Sequence, residues 1–291
     1  MKYDGLNLSY VGSLGFSAGA CDLISLQADN VNGTLYAVYQ DTFNSGRATV
    51  MKFNGSDWET VGAAGFSVGQ ANEISMAVDN GTLYVSYGDA GQSNKLNVMT
   101  YDGANWVNVG AANLSAGMAM STSTQIYGGT PYVAYSDWGN GQKAVLLKFD
   151  GLNWVSVGTQ GFSTGAATYT KLIFDNGAPY VSFSDGVNGY RATLMSFDGS
   201  NWNVVGTAGF SAGQVDFPFI VMENHVPYMS YVDYGSSNKM TVMKYDGMSW
   251  VNVGNPGFSQ FAAYTSSLQF LNGVPFVAFR SAVNSQIMRY Q

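Results

Sequence analysis

One cysteine, Cys21, and one histidine, His225, are all that the chain has of the two side chains most used for metal binding and nucleophilic chemistry. A lone cysteine excludes an internal disulfide. No ligand set at zinc-like spacing exists, and no cofactor motif appears, so neither metal nor cofactor is expected. Charge is scarce: 12 Lys and Arg against 19 Asp and Glu give a net charge of −7, and the basic residues form no cluster. Nothing here neutralises a phosphate backbone, which excludes nucleic acid as a partner. No apolar run approaches the roughly 20 residues of a membrane span, and Met1 leads into Lys2-Tyr3-Asp4-Gly5 without a signal-peptide core, so no membrane insertion is expected. Helix-forming periodicity in Glu, Lys and Ala is also missing, and almost no helix is expected.

What remains is turn-rich and aromatic: 36 glycines and 14% Phe, Trp and Tyr, the composition of a β protein. It is organised by a repeat. The stretch Tyr245-Asp246-Gly247-Met248-Ser249-Trp250-Val251-Asn252-Val253-Gly254 recurs at 53–62, 101–110, 149–158 and 197–206, and more loosely at 3–12. Its acidic position falls at Asp4, Asn54, Asp102, Asp150, Asp198 and Asp246, spaced by 50 and then 48 four times. A period in the forties with several short strands per unit is that of β-propeller blades, each of which buries its faces by stacking on neighbours.

Within one period, 73–78 alternates, Asp79-Asn80-Gly81 turns, and 82–87 is β-branched and aromatic, which makes a hairpin. After a loop at 89–94, the run 95–101, the turn Asp102-Gly103-Ala104-Asn105 and the run 106–109 make a second hairpin. Each unit is therefore a four-stranded antiparallel meander. Val-Gly strand ends at Gly12, Gly62, Gly110, Gly158, Gly206 and Gly254 count six units. The fold class is all-β: a single six-bladed propeller domain over residues 1–291. Residues 8–11 are expected to join the C-terminal blade as its outermost strand, closing the ring and removing open edges. Residues 1–4 and 288–291 duplicate each other, which leaves the register of closure open.

Five tryptophans, Trp58, Trp106, Trp154, Trp202 and Trp250, share one slot on the fourth strand, with Leu8 in the sixth. Their regularity reads as packing against the next blade rather than as a row of sugar platforms. The runs Gly129-Thr130-Pro131-Tyr132-Val133-Ala134-Tyr135-Ser136-Asp137 and Lys239 to Gly247, leading to Trp250 and Gly254, resemble a kelch-like repeat of many bacterial secreted and surface proteins. The resemblance covers essentially the whole chain. It implies a propeller and an extracellular or cell-surface setting, and it transfers no catalytic motif.

Function is expected in what does not repeat. The loops between second and third strands open with Asp41, Asp89, Asp137, Asp185 and Asp233 and close six positions later with Arg47, Lys95, Lys143, Arg191 and Lys239, whereas the sixth has Ser281 and Asn284. Joint loss in one repeat predicts that Asp and Lys or Arg pair with each other. A calcium site is not expected, because one carboxylate per blade supplies too few oxygens. Inside the loops, Phe43, Trp138, Tyr190 and Tyr234 stand beside Asn, Ser and Asp, the composition of an aromatic-anchored polar binding surface. The candidate ligand-binding residues are Phe43, Trp138, Tyr190, Tyr234, Asp137, Asp185 and Asp233.

No catalytic residue is expected. His225 occupies the slot of Gly81 in a tight turn, Cys21 reads as a small apolar residue, and Ser136-Asp137 fails the spacing of a sialidase Asp-box. Glu73, Tyr169 and Lys171 are expected to line an inner channel. Sequons such as Asn32-Gly33-Thr34 coincide with turns. The expected function is a non-catalytic recognition module that binds a glycan or a protein surface through the variable loops. The alternative is a structural or assembly unit that self-associates.

Overall fold

In the computed structural model the described residues are 2–3, 7–281 and 283–290, and they contain no α-helix. The fold is a six-bladed β-propeller, as the repeats predict. A hairpin of β1 (Lys2–Tyr3) and β2 (Leu8–Ser9) precedes the first blade, which consists of β3 (Cys21–Asp29), β4 (Thr34–Asp41), β5 (Arg47–Phe53) and β6 (Trp58–Thr60). The second holds β7 (Ala71–Asp79), β8 (Thr82–Asp89), β9 (Lys95–Tyr101) and β10 (Trp106–Asn108). The third holds β11 (Ala119–Tyr127), β12 (Thr130–Asp137), β13 (Lys143–Phe149) and β14 (Trp154–Ser156). The fourth holds β15 (Ala167–Asp175), β16 (Ala178–Asp185), β17 (Arg191–Phe197) and β18 (Trp202–Val204), and the fifth β19 (Val215–Glu223), β20 (Val226–Asp233), β21 (Lys239–Tyr245) and β22 (Trp250–Asn252). The last sheet is β23 (Ala263–Leu271), β24 (Val274–Ser281) and β25 (Ser285–Arg289). Strands pair in sequence order throughout, so each blade is a meander.

The chain divides into two compact units, 1–133 with 147–155 and 134–146 with 156–291, the boundary running through the third sheet. In the first unit, Val38 and Val50 of one blade pack with Met76, Val85 and Tyr87 of the next. In the second, Ala192 and Leu194 pack with Val215, Ile220, Met229 and Tyr231, and Val232 and Val242 with Leu268, Val277 and Phe279. Stacking of sheet on sheet buries the second strand of a blade on both faces. That is why Tyr36-Ala37-Val38-Tyr39 reads as a continuous apolar run, without alternation.

Tryptophan on the short fourth strand fastens one repeat to the one before it, not to the one after as the sequence reading had it. Trp58 Nε1 donates to the Val11 carbonyl at 2.8 Å, and Trp106, Trp154, Trp202 and Trp250 donate likewise to Val61, Val109, Val157 and Val205. Four of the indoles stack on the phenylalanine of a connecting loop, at 4.8 Å for Phe16–Trp58, 4.2 Å for Phe66–Trp106, 3.9 Å for Phe162–Trp202 and 4.0 Å for Phe210–Trp250. Each such contact contributes about 0.5–1.5 kcal/mol beyond the buried area. The glycine ending the strand lies beneath these rings: a Cβ on Gly62 would come 2.7 Å from Tyr101 and 3.1 Å from Trp106.

Closure differs from expectation. β2 pairs with β1, Tyr3 opposite Leu8, and β25 is the outer strand of its sheet among the described residues. The duplicated third-strand pattern explains the difference. Residues 2–3 supply a partner for β2 that is close in sequence, and a short loop costs little entropy to close. The Asp4 turn lies outside the described residues.

Candidate functional site

The loops between second and third strands are built alike. In five blades the second strand ends on a buried aspartate with extended φ, and a single 3-10 turn follows: Thr42–Asn44, Ala90–Gln92, Trp138–Asn140, Gly186–Asn188 and Tyr234–Ser236. The aspartate caps this turn, because its Oδ1 accepts the backbone N–H two residues on, at 3.1 Å for Phe43, 2.8 Å for Gly91, 2.9 Å for Gly139, 3.1 Å for Val187 and 2.9 Å for Gly235. In three blades Oδ2 accepts again. Asp41 takes Asn44 Nδ2 and Thr49 Oγ1, Asp185 takes Asn188 Nδ2 and Thr193 Oγ1, and Asp233 takes Ser236 Oγ and Thr241 Oγ1, all within 2.8–3.2 Å.

The expected Asp to Lys or Arg clamp is not formed. Asp41 faces Arg47 across the ladder, as do Asp89 and Lys95, Asp185 and Arg191, and Asp233 and Lys239. Yet none of these four facing pairs forms an ion pair, whereas Lys52–Glu59 and His225–Asp175 do. A buried carboxylate surrounded by amide and hydroxyl donors is already satisfied, while the basic chain reaches water. In the sixth blade Ser281 does the capping instead, its Oγ accepting from Asn284 N at 3.1 Å and donating to the Asn284 carbonyl at 2.9 Å. Asp and its basic partner vanish together there because the loop is shorter. Asp137, Asp185 and Asp233 therefore shape the loop from beneath, and their carboxylates are buried rather than presented to a ligand.

Above these caps the aromatics stand out. Phe43 is 73% exposed, Trp138 50%, Tyr190 41% and Tyr234 47%. None of them takes part in a ring–ring contact with another aromatic among the described residues. Each belongs to a different blade, so they make separate platforms. The connecting loop presses against the 3-10 turn from below: a Cβ on Gly19 would lie 3.3 Å from Phe43 Cβ, and one on Gly213 would lie 2.4 Å from Gly235 N. At Gly213 only glycine permits that approach.

Tyr190 is unusual in its backbone. Its φ is +57°, in a slot that elsewhere holds Gly46, Asn94, Gln142 and Asn238, all with positive φ. Its N–H donates to the Asp185 carbonyl at 2.7 Å, and its carbonyl accepts from Val215 N at 2.9 Å and Ser184 Oγ at 2.8 Å. Tyr234 has a partner the sequence reading missed: its hydroxyl donates to Asp216 Oδ2 at 2.8 Å. That hydrogen bond and the charge of Asp216 hold the phenol above its ordinary pKa. Asp216 lies on the first strand, in the same slot as Asp22 and Asn72, and an acidic or amide residue recurring there was the available signal.

Glu73 and Tyr169 occupy a bulge of the first strand, with φ of +55° and +56°; Leu23, Ser121 and Phe217 do the same in their blades. Glu73 Oε2 accepts from Ser121 N at 2.8 Å, so its carboxylate ties two first strands together. The Tyr169 and Phe217 rings lie 4.9 Å apart. Lys171 follows the bulge in its strand, paired across the ladder with Ser182. His225 is a turn residue with φ of +64°, and its Nδ1 lies 2.7 Å from Asp175 Oδ1. No group of three His, Cys, Asp or Glu suited to a metal occurs among the described residues.

Comparison with known proteins bears on the fold. No family model matches the sequence, and neither does any curated protein. Solved structures do match. The SapL1 lectin in complex with α-methyl fucoside superposes with a TM-score of 0.60 at 16% identity, covering 91% of both chains. An Aleuria aurantia lectin in complex with Fucα1-6GlcNAc gives 0.55 at 16% identity, covering 92% of this chain and 91% of that one. Trypanosoma rangeli sialidase gives 0.59 at 12% identity, covering 93% of this chain but 54% of the sialidase.

Proposed function

We propose that the chain is a non-catalytic glycan-recognition module that binds sugars on the exposed aromatics of its second-to-third-strand loops. The observation that carries the reading is the presentation of Phe43, Trp138, Tyr190 and Tyr234 to solvent on loops stiffened by a buried aspartate. An exposed ring on a capped turn offers a face to the C–H side of a pyranose. At Tyr234 the ring stands beside the Asp216 carboxylate, which supplies acceptors for sugar hydroxyls next to the stacking face. Two of the similar structures are lectins holding fucosides, which makes fucosylated glycans the first panel to try.

Separate platforms on several blades predict weak individual sites that gain avidity on a multivalent surface. The setting this implies is extracellular or at a cell surface, in keeping with the repeat resemblance. A non-catalytic role fits the loop carboxylates, which are engaged in structural hydrogen bonds. A protein surface is the alternative ligand, and a self-associating scaffold the alternative role.

The test is a glycan array followed by titration of the best sugar against Trp138→Ala and Tyr234→Ala. Each should weaken binding about tenfold, or ~1.4 kcal/mol, and leave the melting temperature within about 1 °C because the rings are exposed. An array without hits, or hits indifferent to both substitutions, refutes the proposal. Light scattering that shows ordered oligomers in place of sugar binding favours the scaffold.

A further inference from the structure

In five blades the first strand carries a bulge whose residue lies in the left-handed region: Leu23, Glu73, Ser121, Tyr169 and Phe217, with φ between +50° and +56°. That region crowds the Cβ of an L-residue and favours glycine. Elsewhere the repeat follows this preference, as at Gly62, Gly110, Gly158, Gly206 and Gly254, all with positive φ. At the bulge it never does, although the chain holds 36 glycines. Five side chains are thus kept against the preference of the backbone, and they differ in kind from blade to blade. Strain retained at such variable positions points to a use for the side chain itself.

In the fourth and fifth blades these side chains are aromatic. The Tyr169 and Phe217 rings lie 4.9 Å apart, tilted by 49°, and Phe217 is 39% exposed. The backbone of Phe217 is held from the next sheet, where Ser266 Oγ donates to its carbonyl at 3.1 Å. This pair adjoins the Tyr234 platform. Tyr234 N–H donates to the Gln214 carbonyl at 3.0 Å and its hydroxyl to Asp216 Oδ2 at 2.8 Å, so the phenol lies along the start of β19 and ends at the residue before Phe217. Consecutive Cα atoms are about 3.8 Å apart. A stacking face, a carboxylate and a second aromatic surface therefore follow one another along one strand.

We infer that the fifth blade binds an oligosaccharide of at least two units, with the Tyr169–Phe217 pair as the subsite for the second. Tyr234 stacks on one sugar, Asp216 accepts from its hydroxyls, and the bulge pair takes the apolar face of the next. The inference rests on the glycan reading and extends it from a platform for one sugar to a site that measures length. In the first blade Phe43 has Leu23 at the equivalent bulge, which offers no ring to a second unit.

The probe is an array of immobilised monosaccharides and the disaccharides built from them, Fucα1-6GlcNAc included, read with the whole chain. At least one disaccharide should bind tenfold or more tighter than either of its monosaccharides, and Phe217→Ala should bring it down to their level. Phe217→Tyr keeps a ring and should keep the preference, which separates a lost contact from a lost fold. Phe217→Gly should melt above Phe217→Ala, because it relieves the left-handed strain, and should bind the disaccharide no better. Disaccharides bound no tighter than their monosaccharides, a preference indifferent to Phe217→Ala, or a glycine variant no more stable than the alanine one overturns this inference. Hits still weakened by Tyr234→Ala would then leave the loop platforms standing. An array without hits refutes the glycan reading itself, and this inference with it.

Discussion

Tyr190 offers a direct measure of strain held at a candidate binding position. With φ at +57° it has a Cβ where the left-handed region crowds the following carbonyl, at a cost of about 1–2 kcal/mol for an L-residue. The hydrogen bonds to Asp185, Val215 and Ser184 fix this geometry, so a substituted residue inherits it. Two variants separate strain from packing: Tyr190→Ala and Tyr190→Gly both lose the ring, but only glycine loses the Cβ. At an ordinary position glycine is less stable than alanine by about 0.5–1 kcal/mol, from backbone entropy. Here the relief of strain exceeds that penalty, and glycine should be the more stable by roughly 0.5–1 kcal/mol. Urea midpoints at neutral pH, compared at constant m, read the difference. Alanine equal to or more stable than glycine would refute the assignment of strain. Both variants should lose sugar binding to the same extent, because both lack the platform. A sequence that keeps tyrosine where glycine is more stable, and loses binding without it, shows strain retained for function.

The remaining predictions concern acid stability and the loop caps. Hydrogen bonds from the backbone amides of their turns hold Asp102, Asp150, Asp198 and Asp246 below the ordinary carboxylate range. At Asp29 burial pushes the pKa up, but donors from Asn32, Val31 and Gly81 outweigh it and the net shift is downward. Groups depressed in the folded state contribute stability that is complete above the unfolded value of about 4 and is lost as pH falls through the folded values. Thermal scans should therefore be flat from about pH 7 to 5 and decline below about 4; a melting temperature that rises on acidification contradicts the sign. Asp185→Ala leaves Val187 N–H, Asn188 Nδ2 and Thr193 Oγ1 without their acceptor and should cost about 2–3 kcal/mol. Arg191→Ala should stay within about 0.5 kcal/mol, since no ion pair is broken. The reverse order of these two costs would restore the clamp that the sequence suggests.

Most of the fold was legible because a repeat multiplies weak signals. A single Asp-Gly turn followed by tryptophan is ambiguous, but five copies at one spacing, with Val-Gly ends in step, leave little besides stacked meanders. What the repeats did not show is direction. Nothing in a periodic list says whether a tryptophan binds the unit before or after it, and the indole to carbonyl bond from Trp106 back to Val61 needs coordinates to be seen. Closure was illegible for a related reason. Residues 2–3 and 288–290 carry the same pattern, so sequence supplies two equivalent partners for one strand, and the structure pairs β2 with the local one.

The exposure of the loop aromatics was legible in the sequence, and the burial of the acids was not. Phe43, Trp138, Tyr190 and Tyr234 interrupt an otherwise regular repeat, and such departures mark residues that packing does not require. The aspartates recur in five blades, and that regularity was itself the sign that they belong to the scaffold. Covariation of Asp with Lys or Arg across blades reflected loop length instead: a cap on a 3-10 turn needs the aspartate, the longer loop places a solvated base across the ladder, and the short sixth loop needs neither. Asp216 went unseen because it sits on a first strand, far in sequence from the Tyr234 hydroxyl it accepts. In this repeat a loop residue is met by a residue of its own blade's first strand, so the informative pair lies eighteen residues apart rather than within one loop. Asp22 and Asn72 hold the same strand position as Asp216 in the first unit. They are the acid and amide to test beside the loop that follows in their own blade.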